Sequence, residues 1–318
     1  MDKCYIGIDL GGTSMKLGIV DENGKLLDKL EKPTRGEEGA ETGLARMAEH
    51  ARELAEMSGQ PWSRVAGLGI GLPGFLDIER GEIIRLTNIP WERVPVRTVL
   101  EAKLGVPVVI DNDANVAALG EAWSGAGTGI GDIVCITLGT GVGGGVIVDG
   151  RLVHGVSGMA GEIGHICMEE NGALCGCGKR GCVETIASAT GMMRLVKEGL
   201  AAGRQSLLHQ PAQQGELNTR TLFAAAEQQD VLALEVIDRA TDALGRLMAI
   251  LSVVNNPAAF IVGGGVSRAG ERLFTPLRQS YAQHALAAAA RGVQILPAQL
   301  GNDAGMIGAA ALTVRREH

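Results

Sequence analysis

The chain has 318 residues, 47 of them glycine, only 3 Trp, 2 Tyr and 4 Phe, and a formal net charge of −7. Glycine stands at about twice its usual share of roughly 7%, yet it follows no Gly-X-Y period, and 46% hydrophobic with 20% charged residues excludes a disordered or fibrous chain. The acidic balance argues against a nucleic-acid partner and the few rings against base stacking, so any sugar or nucleotide ligand would be held mainly by hydrogen bonds and backbone dipoles and not by aromatic platforms.

Residues 6–27 (IGIDLGGTSMKLGIVDENGKLL) read as an apolar strand, a glycine turn, a second strand, a polar turn and a third strand. Helical spacing puts Leu44, Met47, Ala48, Ala51, Leu54 and Ala55 on one face of a helix over 41–57. A buried strand over 65–74 runs into a Pro-Gly turn. Another over 106–110 ends in Asp111-Asn112-Asp113, with a helix through 117–123 beyond it. Residues 133–153 (IVCITLGTGVGGGVIVDGRLV) repeat the plan of 6–27, which points to two similar α/β domains. Past a cysteine cluster, helices are expected over 183–202, 220–229 and 231–254. A strand over 258–262, a helix over 271–289, a strand over 293–296 and a helix over 303–315 complete the chain. The Gln-rich stretch 206–217, interrupted by Pro211, reads as a mobile loop.

The longest uncharged stretch, 247–267, is broken by Asn255, Asn256, Pro257 and three glycines, so no membrane span is expected. The start MDKCYIGIDLGG has no basic region of a signal peptide, which predicts a cytoplasmic protein with reduced thiols. Cys4, Cys135 and Cys167 read as isolated core thiols.

Five clusters could carry chemistry. In Asp9-Leu10-Gly11-Gly12-Thr13, glycines let backbone N–H groups turn onto an anion, and a carboxylate beside phosphates serves Mg²⁺; a tight hairpin is the alternative. Residues 139–145 (GTGVGGG) are denser in glycine than a hairpin requires and match neither a dinucleotide fingerprint nor a Walker loop, which leaves phosphate held between two β-turns. The run Val262-Gly263-Gly264-Gly265-Val266-Ser267 either relieves helix–strand packing or lets an adenosine lie on bare backbone. Asp111-Asn112-Asp113-Ala114-Asn115 is either an N-cap cluster or a carboxylate placed to hold a hydroxyl and accept its proton. Finally, His165 with Cys175, Cys177 and Cys182 supplies the four ligands of a closed, structural zinc site, with free thiols or a labile disulfide as the alternative; Glu162 and Glu184 flank it.

Together, DLGGT at 9–13, LGTGVGGG at 138–145, AGEIGH at 160–165, CGCGKRGCVE at 175–184 and VGGGVS at 262–267 resemble the ROK (repressor, open reading frame, kinase) family of sugar kinases, its bacterial glucokinases in particular, over essentially the whole chain. The resemblance implies an α/β fold of two duplicated actin/hexokinase/Hsp70-like (ribonuclease H-like) domains with an interdomain cleft. A smaller domain would span 1–118 and 300–318, and a larger one 119–299. It implies ATP-dependent phosphorylation of D-glucose to glucose 6-phosphate, with Asp113 as general base and Asn112, Asp113, Glu162, His165 and Glu184 on the sugar. Asp9, Gly11, Gly12, Thr13, Lys16, Thr140, Gly141, Gly143 and Gly144 would hold the ATP phosphates, Asp9 lying near Mg²⁺, with Gly264 and Gly265 against the adenosine. A structural zinc would sit on His165, Cys175, Cys177 and Cys182, one imidazole nitrogen on metal and the other on sugar. A related kinase of fructose, mannose, allose or an N-acetylhexosamine, and a sugar-sensing regulator without catalysis, are the alternatives. The family's repressors add an N-terminal winged-helix region, which is not expected here because the first strand begins near Tyr5. The implied partners are hexose and ATP, with neither nucleic acid nor membrane, in a homodimer or homotetramer.

Overall fold

Apolar runs interrupted by Asp9 and Lys16 make the first two strands, and the third, LLDKLEKP, is rich in charged residues and only half-buried. In the computed structural model, which describes residues 3–314, β1 (Cys4–Leu10), β2 (Ser14–Asp21) and β3 (Leu26–Pro33) form an antiparallel meander. Helix α1 (Ala40–Met57) buries all six positions expected from the spacing, Leu44 to Ala55. After β4 (Val65–Leu72) the chain builds a small three-stranded sheet from β5 (Gly74–Asp77), β6 (Glu82–Leu86) and β7 (Glu92–Val94), then helix α2 (Val96–Leu104). Strand β8 (Val108–Asn112) leads straight into α3 (Asp113–Ser124). Strands β9 (Ile133–Leu138), β10 (Val142–Val148) and β11 (Arg151–Leu152) are the second copy of the opening plan. Helices α4 (Glu184–Ala187), α5 (Ala189–Ala201), α6 (His209–Gln213), α7 (Thr219–Glu227) and α8 (Val231–Val254) follow. Strand β12 (Ala259–Gly263), α9 (Glu271–His284), β13 (Gln294–Pro297) and α10 (Ala304–Val314) finish the chain. The expected end of the last helix at Arg315 lies outside the described residues.

The two five-stranded sheets have matching orders, β3-β2-β1-β4-β8 and β11-β10-β9-β12-β13. In each, the strand that comes first in the chain is central. The next two strands lie on one side of it, and two later, parallel strands lie on the other. This is the duplication read from 6–27 and 133–153. The chain divides into two units. One holds the chain up to Gly131, Gly145–Ala160 and the chain from Gln299 on; the other holds Asp132–Gly144 and Gly161–Ala298.

In the first unit α10 is buried almost all round and lies directly on the sheet. A Cβ on Gly7 would meet the Met306 carbonyl oxygen at 1.7 Å, and one on Gly69 would meet that of Ala309 at 1.7 Å. Part of the glycine excess thus serves helix-on-sheet packing, because only bare backbone permits this approach. In the second unit α8 packs on α9, where Ser252 Oγ and Tyr281 OH hydrogen-bond at 2.8 Å.

Four expectations are corrected. The helix expected over 183–202 is broken at Ser188, whose extended backbone starts α5 and whose Oγ accepts the Gly191 N–H at 2.9 Å. The helix expected over 271–289 ends at His284, where Ala285 turns extended. Stretch 206–217 contains α6, with Pro211 in the first turn, where its missing N–H costs nothing. Asp230 anchors this stretch by accepting from Ser206 Oγ at 3.0 Å and the Leu207 N–H at 2.7 Å. Cys4 and Cys135 are buried as expected, but Cys167 is exposed: it forms an isolated antiparallel bridge with buried Cys182 and its own side chain stays in solvent. Among the described residues no helix is long and apolar enough to cross a membrane.

Candidate active site

In the first unit the β1–β2 turn closes tightly. The Gly11 N–H donates to the Ser14 carbonyl at 2.9 Å, and Thr34 Oγ1 donates to the Gly11 carbonyl at 2.7 Å. Gly12 and Thr13 are left exposed at the tip. Asp9 pairs across the strands with Lys16. Burial raises the Asp9 carboxyl above its ordinary range, and the Lys16 charge opposes that shift. Its carboxylate packs against the backbone at Gly305, where a Cβ would come within 2.7 Å. A carboxylate held this deep beside a glycine turn suits a hard cation such as Mg²⁺, whose charge would offset the burial.

At the end of β8 three adjacent residues have three separate tasks. Asn112 is the N-cap of α3, its Oδ1 accepting the Ala114 N–H at 2.8 Å. Asp113, the first helical residue, is exposed. Asp111 is almost fully buried and accepts three bonds: the Asn112 N–H at 2.7 Å, Asn115 Nδ2 at 2.9 Å and His154 Nε2 at 2.6 Å. The capping reading of this cluster is therefore real for Asn112, and Asp113, exposed at the same turn, has its Oδ1 accepting the Ala114 N–H at 2.9 Å.

In the second unit the glycine turn after β9 rests on the start of α5. The Gly139 carbonyl accepts the Ala189 N–H at 2.9 Å, and Thr190 Oγ1 donates to the Thr140 carbonyl. Glu184 Oε2 accepts the Val142 N–H at 3.1 Å and occupies the space a side chain at Gly141 would need. Gly143 and Gly144 belong to β10, and the bare face of Gly144 receives Gly161 and Ile163, so that the backbone segment carrying Glu162 and His165 runs against β10. Gly264, after β12, has φ +88° and lies against the Leu138 carbonyl, 2.4 Å from where its Cβ would be; the face of Gly265 is open.

The cysteine cluster assembles as the spacing predicts, with one ligand atom from each of His165, Cys175, Cys177 and Cys182 all within 4.8 Å of one another. Tetrahedral zinc at its usual bond lengths has S–S edges of about 3.8 Å and S–N edges of about 3.6 Å. Here Cys177 Sγ and Cys182 Sγ are 3.6 Å apart, and Cys175 Sγ and His165 Nδ1 are 3.5 Å apart. His165 Nε2 faces the other way, 3.7 Å from Glu162. Burial, reinforced by neighbouring thiols, pushes the Cys175 thiol up to about 12. Burial also raises Cys182, whereas the Lys179 backbone N–H lowers Cys177. A divalent cation is the partner that would let all three act as thiolates.

Two features escaped sequence reasoning. One is the bond between His154 and Asp111. The other is a cavity of about 750 Å³ opening beside Thr140, walled by Thr190, Met193, Arg194 and Lys197 of α5 and by Asn218 and Thr219 at the start of α7. The helical stripe Thr190, Arg194, Lys197 was the available signal, but by itself it reads as a solvated face.

A match to the ROK family extends over residues 5–316. The chain is 42% identical to a glucokinase of Halalkalibacterium halodurans over 319 residues, covering 100% of this chain and 97% of that protein. It is 41% identical to a glucokinase of Thermotoga maritima, covering 98% and 97%. Among solved structures it superimposes with TM-score 0.79, at 36% identity and covering 97% and 98%, on a ROK family glucokinase from Streptomyces griseus in complex with glucose and AMPPNP. The chain belongs to the ROK family, and its fold is the two-domain, actin-like α/β fold of the ROK hexokinases.

Proposed function

We propose that the protein is a glucokinase that transfers the γ-phosphoryl group of ATP to the primary hydroxyl of D-glucose. The reading is carried by the exposed Asp113 carboxylate at the β8–α3 junction, in a chain that matches glucokinases over its full length.

Phosphoryl transfer passes through a loose transition state, so the protein's work is positioning and charge stabilisation. Asp113 accepts the proton of the primary hydroxyl as that oxygen bonds to the γ-phosphorus and the bond to the β–γ bridging oxygen breaks, releasing ADP. Asn112, Glu162, His165 and Glu184 hold the remaining hydroxyls through their polar groups. Gly11, Gly12, Thr13, Lys16, Thr140, Gly141, Gly143 and Gly144 hold the phosphates, and Gly264 and Gly265 lie against the adenosine. Asp9 would hold Mg²⁺, which would supply charge neutralisation at the phosphates. His165, Cys175, Cys177 and Cys182 would hold a structural zinc ion, all four positions being filled by protein, and this would fix His165 and Glu184 in place.

The test is ADP release with Mg-ATP against glucose, mannose, fructose, allose and N-acetylhexosamines, scored as kcat/KM. Glucose is expected to rank first. A different hexose at the top would reassign the substrate, and no turnover with any hexose would favour a sugar sensor.

A further inference from the structure

Asp111 is the most deeply buried carboxylate at the proposed site, yet it is not free to touch a ligand. Its Oδ1 accepts from the Asn112 N–H at 2.7 Å and from Asn115 Nδ2 at 2.9 Å, and its Oδ2 accepts from His154 Nε2 at 2.6 Å. Asn115 is itself buried, so a single carboxylate ties together the end of β8, the first turn of α3 and the segment that follows β11. A buried charge costs several kcal/mol unless it is paired and fully bonded. His154 is the charged group that meets it, and Asp111 is likewise the charged group facing His154. The bond to Asp111 also favours the imidazolium against the opposing effect of burial.

The segment after β11 is held at both ends of a short loop. His154 grips Asp111 through its ring, and its carbonyl accepts the Ala160 N–H at 3.0 Å. Between them Val156 and Met159 are exposed, and the His154 ring ties the loop to the β8–α3 turn.

We propose that His154 is a positioning residue: through Asp111 it holds the turn carrying Asn112 and Asp113, and as a cation it balances the Asp111 charge, thereby setting the pH range over which Asp113 accepts a proton. The inference rests on Asp113 being the base. Asp111 and Asp113 are two residues apart along the chain. An unbalanced negative charge at Asp111 opposes ionisation of Asp113, whereas a balanced pair does not. His154 is protonated throughout the acid range where a carboxylate base titrates, so its charge is present where it matters.

His154→Gln keeps a donor for Asp111 but removes the cation. The acid limb of its kcat–pH profile is expected to move to higher pH by roughly 0.5–1 unit, the size of a one-charge effect across ~7 Å at partial screening, with the glucose KM near that of the parent. Asp111→Asn removes the opposite charge, and its limb is expected to move to lower pH. His154→Leu, lacking donor and charge, should lose about 10–100-fold in kcat/KM, as expected for a displaced reacting group. Opposite shifts in the two charge variants are not the result of loosened packing, which has one sign. Asp113→Asn is run alongside. If it is inactive while the His154→Gln profile overlays the parent's and His154→Leu keeps its kcat/KM, the positioning role is wrong and the base stands. If Asp113→Asn retains full turnover, the base assignment falls and the role of His154 falls with it.

Discussion

Glu184 joins the two chemically distinct parts of the second unit: its Oε2 accepts the Val142 N–H at 3.1 Å, beside the glycine turn, while its Oε1 lies 3.5 Å from Cys175 Sγ in the cysteine cluster. One carboxylate thereby registers the expected phosphate turn against the expected zinc site. A hydrogen bond to a charged group is worth about 1.5–3 kcal/mol. Glu184→Gln keeps an oxygen for the Val142 N–H, so the KM for ATP should hold while that for glucose rises. Glu184→Ala should raise both. An unchanged glucose KM in both variants would remove Glu184 from the sugar site.

Asp113→Asn retains the side-chain shape at the start of α3 and gives up the proton acceptor. Loss of a general base costs typically 10²–10⁴-fold. The expected result is a fall of that size in kcat, with glucose affinity, measured by calorimetry, within a few-fold of the parent. Near-normal kcat contradicts the assignment.

Cys177 is the exposed member of the cysteine cluster, so Cys177→Ser removes one sulfur with little loss of packing. Elemental analysis should show less than one zinc per chain, and the glucose KM should rise as His165 loses its fixed orientation. Full zinc content with a normal KM would mean that the cluster is not the site described here.

The His154–Asp111 pair also has a signature in stability. Because the hydrogen bond to Asp111 raises the folded-state value of His154 above the ordinary 6.5, its contribution is fully present below pH 6.5 and is lost as pH rises through the folded-state value. With about a third of the ring exposed, the effect is expected to stay below about 1 kcal/mol. Urea unfolding at pH 6 and pH 9 should show the parent losing more stability with rising pH than His154→Gln. Parallel losses in the two proteins would show that this bond does not carry the linkage.

Much of this molecule is legible in its sequence, for reasons visible at particular residues. The buried stripe of α1 announces itself because Leu44, Met47, Ala48, Ala51, Leu54 and Ala55 repeat at the helical period. The duplicated sheets show because two glycine turns sit between equivalent apolar runs. The cysteine cluster shows because its ligands lie within 18 consecutive positions of the chain. The β5–β7 sheet and α2 did not show: their strands are short and alternate poorly, and Trp91 owes its burial to a distant contact, its Nε1 donating to the Gly36 carbonyl at 2.9 Å. The break at Ser188 was equally hidden, since the residues around it would suit a helix and it is the Ser188 side chain that ends one turn and caps the next.

The sequence by itself thus determined the fold class, the duplication and the membership of the cysteine cluster, because local periodicity and short spacings encode them. Only the tertiary structure decided that strand glycines such as Gly7 and Gly69 admit α10 onto the sheet, that Glu184 bridges turn and cysteines, and that Asp111 is answered by His154, 43 positions away. Those relationships depend on which backbones approach closely and which buried charges find partners. Neither condition leaves a periodic mark along the chain.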